Sequence, residues 1–190
     1  FIIIHFGCWY EFIKLLKKIN PNSYKSLSLL GLLYISLPIA LILFMRLGNN
    51  IYFDNRQLLI VPCGIIFSIW INDTMAYIVG SLIGKTPLSK ISPKKTWEGT
   101  IGGALLCVVT ITLIGNALGY YTYKDWIVIA TLSAVFGTLG DLLESKLKRM
   151  ANVKDSGSIM PGHGGFLDRF DSFLVATTFV ALYYFLYMNT

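Results

Sequence analysis

Charge is what this sequence has least of. Only 14% of its 190 residues are Asp, Glu, Lys or Arg, while 55% are hydrophobic. Soluble domains carry about 25% charged residues, so lipid rather than water must cover much of this surface. Paired cysteines are missing as well. Cys8, Cys63 and Cys107 stand far apart inside apolar runs, which excludes a disulfide framework and a zinc motif and leaves small core-packing residues. With two histidines in the chain, His163 lacks a second His at ligand spacing. No strand-like alternation, internal repeat or low-complexity linker is present. The opening residues have neither the basic segment nor the small-residue cleavage site of a signal peptide. The chain opens apolar on Phe1 rather than Met, and further N-terminal spans are expected ahead of it.

What is present is a series of apolar stretches, roughly 1–13, 27–45, 58–84, 100–121, 126–143 and 170–188. All but the first approach the ~20 residues a helix needs to cross a bilayer. Helices are the state that satisfies backbone groups in lipid, so the pattern predicts an all-α polytopic transmembrane bundle of about six spans. It forms one domain over 1–190, with N-terminal spans over 1–57 and the motif-bearing spans and loops over 58–190. Pro38 and Pro62 fall inside spans and should kink them. Tyr120, Tyr121, Tyr123 and Trp126 surround one turn, as an aromatic belt would.

The cations are unevenly shared. Lys14, Lys17, Lys18 and Lys25 mark the first loop, and Lys85, Lys90, Lys94 and Lys95 the third. Lys146, Lys148, Arg149, Lys154 and Arg169 mark the fifth region, against Arg46, Arg56 and Lys124 in the even loops. Positive charge stays in the cytoplasm, so the odd loops are expected there. The net charge of +6 is spread over loops instead of one basic arm, which argues for lipid headgroups or an anionic substrate and against nucleic acid.

Three stretches depart from plain span composition. Asn72-Asp73 interrupts an apolar run ahead of Ala76, Tyr77 and Gly80. A carboxylate at membrane depth usually faces a polar cavity, although Asp73 near a helix end could simply be solvated. Ser92-Pro93-Lys94-Lys95-Thr96-Trp97-Glu98-Gly99 sets two lysines and a hydroxyl in an ordered turn suited to a polyphosphate; an ordinary basic loop held by anionic lipid is the plain alternative. The third stretch runs from Gly140-Asp141 to Asp171-Ser172. Asp141, Ser145 and Lys148 share one helical face and Asp168, Asp171 and Ser172 another. Carboxylates on two such faces would suit hard cations. Gly162, Gly164 and Gly165 would let backbone approach a phosphate. Taken singly, His163 reads as a surface loop residue, Asp171 as a helix cap, and Lys154-Asp155 as a solvated pair.

At these residues the chain resembles the phosphatidate cytidylyltransferase family, the CDP-diacylglycerol synthases. Its C-terminal motif is matched in step by Ser145, Leu147, Lys148, Arg149, Lys154, Asp155, Gly157 and Pro161, then His163, Gly164, Gly165, Phe166, Asp168, Arg169, Phe170 and Asp171. Met160 stands where Leu, Ile or Phe is expected. Asp73 through Gly99 is similar to the upstream motif, whereas 1–57 matches only in span pattern. The resemblance implies CMP transfer from CTP to phosphatidic acid with Mg²⁺, and leaves a second cation open. It implies Asp141 and Asp168 as metal ligands with Asp171 as a third, and Lys148, Arg149, Lys154 and Arg169 as phosphate-neutralising groups. Asp73, Ser92, Lys94, Lys95, Thr96, Glu98, Ser145, Asp155, His163, Gly164 and Gly165 would contact substrate. The expected setting is a multi-pass membrane protein, in a bacterial inner membrane, with its site on the cytoplasmic face. CTP, phosphatidic acid and membrane lipids are the expected partners, and a homodimer is the assembly to test. A CTP-dependent transferase or kinase acting on a polyprenol or ether lipid would share this site. An ion-coupled transporter is a different class, disfavoured because the charges gather on one side and no inverted repeat is seen.

Overall fold

The computed structural model describes residues 1–47, 57–157 and 164–188. Seven α-helices are found among them: α1 (Ile2–Ile19), α2 (Tyr24–Ser28), α3 (Leu37–Leu47), α4 (Gln57–Ile83), α5 (Trp97–Leu118), α6 (Tyr123–Met150) and α7 (Leu167–Tyr183). An isolated β-bridge joins Pro87 and Thr96. The all-α bundle expected from the apolar runs is therefore what forms. Among the described residues, five segments are long and apolar enough to cross a membrane: Tyr24–Leu47, Leu59–Ile83, Trp97–Leu118, Tyr123–Met150 and Leu167–Met188. α1 is not among them. Its 18 residues include Glu11, Lys14, Lys17 and Lys18, so the first of the six expected spans is a shorter helix with a basic end.

Local chemistry sets the helix limits. Pro38 has no N–H to continue the ladder. The turn before it, Leu32–Ser36, widens to π geometry, and the Leu37 N–H reaches back to the Leu32 carbonyl. Pro62 sits inside α4 without ending it. Thr96 caps α5, its hydroxyl accepting from Gly99 N at 3.1 Å. α5 ends on Gly119 in the left-handed region at φ 74°, where glycine is free of strain. Thr122 and Asp125 form a capping box for α6. α6 continues to Met150, and α7 begins at Leu167, so the spans expected at 126–143 and 170–188 extend into the charged stretch between them.

Two close approaches shape the bundle. On α5, a Cβ at Gly99 would lie 2.6 Å from the Ala76 carbonyl oxygen, and one at Gly103 2.6 Å from Ala76 N. These small residues let α4 and α5 pack backbone to backbone, the usual device where lipid gives no hydrophobic push. On α6, a Cβ at Gly140 would lie 2.6 Å from the Asp171 carbonyl oxygen, so α6 and α7 meet as closely there.

The core has two parts. One gathers Val61, Ile65, Ile111, Trp126, Ile129 and Val180. The other gathers Phe12, Leu15, Ile35, Ile39, Leu167 and Leu174 around α1. Trp126 is 2% exposed, its ring 2.8 Å from where a Gly64 Cβ would stand. It is a core wedge, not the belt residue its neighbourhood suggested, whereas Tyr123 is exposed. Cys8 and Cys107 are buried as expected, but Cys63 lies exposed on α4. Large apolar side chains such as Leu82, Leu105 and Leu113 are well exposed, as lipid-facing residues should be.

Candidate active site

A cavity of about 850 Å³ opens between α4, α6, α7 and the loop before α5. Asp73 reaches it from α4, Asp141 from α6, and Asp168, Arg169 and Asp171 from the first turn of α7. Lys94, Lys95 and Thr96 reach it from the loop. Its other end is lined by Ile66, Ile69, Trp70 and Phe173, with Phe1 and Ile4 from α1. The lining thus combines charged and apolar side chains.

The loop that carries the lysines is a tight hairpin. Leu88 N donates to the Lys95 carbonyl at 2.7 Å and Trp97 N to the Thr86 carbonyl at 2.9 Å. Glu98 accepts from the backbone N–H groups of Lys85 and Thr86 at 3.2 Å. The Ser92 carbonyl accepts from Lys95 N at 3.1 Å. Ser92, Thr96 and Glu98 therefore shape this loop, and Lys95 crosses from it to pair with Asp141. Asp141 stands beside Asp171 because α6 and α7 touch at Gly140. Asp171 is 6% exposed, and its Oδ1 accepts the Ser172 N–H at 2.6 Å. Asn72, buried on α4, lies 3.5 Å from Thr138 Oγ1 on α6.

Behind the cavity lies a second cluster. Lys148 bridges Glu144 Oε2 at 2.5 Å and Asp168 Oδ1 at 2.6 Å. Asp168 Oδ2 also accepts from Ser156 N and Ser156 Oγ at 2.9 Å and from Gly165 N at 2.8 Å. Asp168 is thus surrounded by donors from its own chain. Gly164 has φ 79°, a conformation that glycine adopts without strain, and a Cβ there would meet Asp168 Oδ2 at 2.8 Å. At Gly165 the bare Cα faces the carboxylate of Glu11, where the glycine pattern predicts a phosphate.

Of the residues expected in the site, Asp73, Lys94, Lys95, Thr96, Asp141, Asp168, Arg169 and Asp171 share the cavity lining. Ser92, Glu98, Ser145, Lys148, Gly164 and Gly165 do not line it. Arg149, Lys154 and Asp155 are exposed, away from the lining. His163 lies outside the described residues, as does Gly162. Three participants were not foreseen. Glu144 is fully buried inside the motif; Ser156 follows the expected Asp155; and Glu11 comes from α1, far upstream.

Four aspartates and three cations line the cavity. Oxygen ligands of this kind suit a hard divalent cation. Among the described residues no three His, Cys, Asp or Glu side chains converge as a complete metal cage.

Fold and site together define a class: a multi-pass α-helical membrane protein with a cavity lined by both charged and apolar side chains. The chain belongs to the cytidylyltransferase family, whose defining pattern matches residues 1–187. It is 44% identical over 131 residues to phosphatidate cytidylyltransferase 5, chloroplastic, of Arabidopsis thaliana, covering 66% of this chain and 32% of that protein. It is 49% identical over 116 residues to the phosphatidate cytidylyltransferase of Bacillus subtilis, covering 59% and 42%. For the Staphylococcus saprophyticus enzyme of the same name the identity is 49% over 109 residues, covering 56% and 42%. The chain thus spans between about a third and two fifths of the length of these curated relatives.

Proposed function

We propose that this chain carries the active site of a phosphatidate cytidylyltransferase, moving CMP from CTP to phosphatidic acid and releasing pyrophosphate. The observation that carries the proposal is the mixed lining of the cavity. An acyl-bearing phosphate needs apolar surface for its chains and charge for its headgroup, and Trp70, Ile69 and Phe173 line the same cavity as Lys95, Asp141 and Asp171. In the reaction a phosphate oxygen of phosphatidate forms a bond to the α-phosphorus of CTP while the bond to the β-phosphate oxygen breaks. The lipid phosphate is itself the nucleophile, so no nucleophilic side chain is required.

Both reactants are polyanions, and fixed charge must offset their repulsion. Lys94, Lys95 and Arg169 are the cations facing the cavity. Lys95 is held by Asp141 and would exchange that partner for phosphate oxygens on binding. Lys148, clamped between Glu144 and Asp168, supports the wall from behind. Asp141 and Asp171 would hold Mg²⁺, with Asp73 across the cavity; the donors already on Asp168 make it more a support than a principal ligand. Bound Mg²⁺ would supply the positive charge that three lining cations cannot against the two substrates and four carboxylates. The site is proposed to open to the cytoplasm, where CTP is found, because the basic segments cluster at its end of the bundle.

The test is formation of lipid-linked CMP from labelled CTP and phosphatidate by the protein in detergent, with and without Mg²⁺. Asp141→Asn and Asp171→Asn should each lower turnover by roughly 100-fold or more while the protein stays folded, as loss of a preorganised charge group does. Near wild-type turnover in both variants would overturn the assignment. So would a preference for polyprenol over phosphatidate in direct competition.

A further inference from the structure

α1 contributes no residue to the motifs, yet it sets a carboxylate with no exposed surface behind the site: Glu11 is 0% exposed. It accepts from Ser156 Oγ at 2.7 Å, Leu167 N at 2.9 Å and Phe166 N at 3.1 Å. A Cβ at Gly157 or Gly165 would overlap its carboxylate. A buried carboxylate is tolerated where donors surround it, and each of these partners is a donor. Two of the bonds cap α7, which has no capping side chain of its own. The third leads on to the site. The Ser156 hydroxyl also lies 2.9 Å from Asp168 Oδ2, so its single proton is shared between Glu11 and Asp168. A continuous chain therefore runs from Glu11 through Ser156, Asp168 and Lys148 to Glu144. Of these five only Asp168 lines the cavity.

We infer that Glu11 is a positioning residue, fixing Asp168, and through it Lys148, by holding Ser156 and the first turn of α7. Asp168 is the second residue of α7. Any rotation of that first turn swings its carboxylate, and any shift of Ser156 removes two of its donors. Glu11→Gln keeps the side chain's shape but points an amide N–H₂ at partners that themselves donate. Glu11→Asp keeps the charge and both acceptor oxygens on a shorter stem.

The test has two arms, of which only the kinetic one rests on the cytidylyl-transfer reading. In hydrogen exchange, Glu11→Gln should speed exchange at Phe166 and Leu167, which bond Glu11 directly. It should also speed exchange at Ser156 and Gly165, whose N–H groups bond Asp168, and leave α4 and α5 unchanged. In the kinetic arm, kcat should fall roughly 10- to 100-fold, as it does when the supports of site carboxylates are lost. KM for CTP and phosphatidate should stay within about twofold, since Glu11 touches neither. Glu11→Asp should recover part of kcat. Ser156→Ala should lower kcat too, and combining it with Glu11→Gln should cost little more, because both act along one chain.

Faster exchange confined to Phe166 and Leu167 would make Glu11 a helix cap and overturn the inference. Exchange rising across all spans would reduce it to global stability, and losses that multiply in the double variant would break the chain. A wild-type protein that forms no lipid-linked CMP would overturn the proposed reaction while leaving the exchange arm to decide on Glu11.

Discussion

Lys148 stands between two carboxylates with different surroundings. Asp168 has the hydroxyl of Ser156 and two backbone donors besides, whereas fully buried Glu144 relies on Lys148 for its charge partner. Removing the lysine therefore strands Glu144. Lys148→Met should destabilise the protein by about 3–5 kcal/mol, the scale for breaking one side of a buried pair. Lys148→Met with Glu144→Gln should recover much of that loss, read as unfolding midpoints in detergent. Legibility in the sequence followed the same logic of surroundings. Asp73 and Asp141 stand out because each interrupts an apolar run, and Asp171 because it shares a helical face with Asp168. Glu11 interrupts the run 1–13 in the same way, but it belongs to no motif. Its partners lie 145 to 156 residues away, a separation that no local pattern encodes.

At the scale of helices, α6 holds two glycines one turn apart with opposite tolerances. A Cβ at Gly137 would meet Ile69 Cγ1 at 3.5 Å and Ser172 Cβ at 3.7 Å, ordinary contacts. Gly137→Ala should be neutral or stabilise by up to about 1 kcal/mol, the gain from replacing glycine inside a helix. At Gly140 the same methyl meets the Asp171 carbonyl at 2.6 Å, and backbone cannot yield as a side chain does. Gly140→Ala should lower the melting temperature and, by parting Asp141 from Asp171, lower turnover more than the stability loss explains. The apolar runs announced that α4 to α7 exist, because lipid demands length and hydrophobicity. They misplaced the ends of α6 and α7, because the last turns there carry charges that face inward to one another instead of marking a loop. Trp126 was misread for a related reason: an aromatic beside a turn looks like a belt residue until the glycine that receives it is known.

Taken whole, the molecule gathers its basic segments at one end. Lys95 meets α6, Lys148 meets α7, and the Ser156 segment meets α1. Single cysteines at Lys90 and Lys154 should react with a membrane-impermeant maleimide from the same side of sealed vesicles, and one at Tyr123 from the opposite side. Labelling of Lys90 and Tyr123 positions from one side would overturn the proposed orientation. The native cysteines would be replaced first, Cys63 being the exposed one.

The contact between α1 and α7 also bears on how the bundle is made. α7 depends on a carboxylate from α1 for its first-turn N–H groups, and α1 depends on α7 for the donors that make its buried charge bearable. During synthesis the ribosome releases α1 long before Leu167. In that interval Glu11 lacks the Phe166 and Leu167 donors, and Ser156 lacks Asp168. The charged pocket can therefore close only once α7 docks back against α1, so it is completed after both helices have been made.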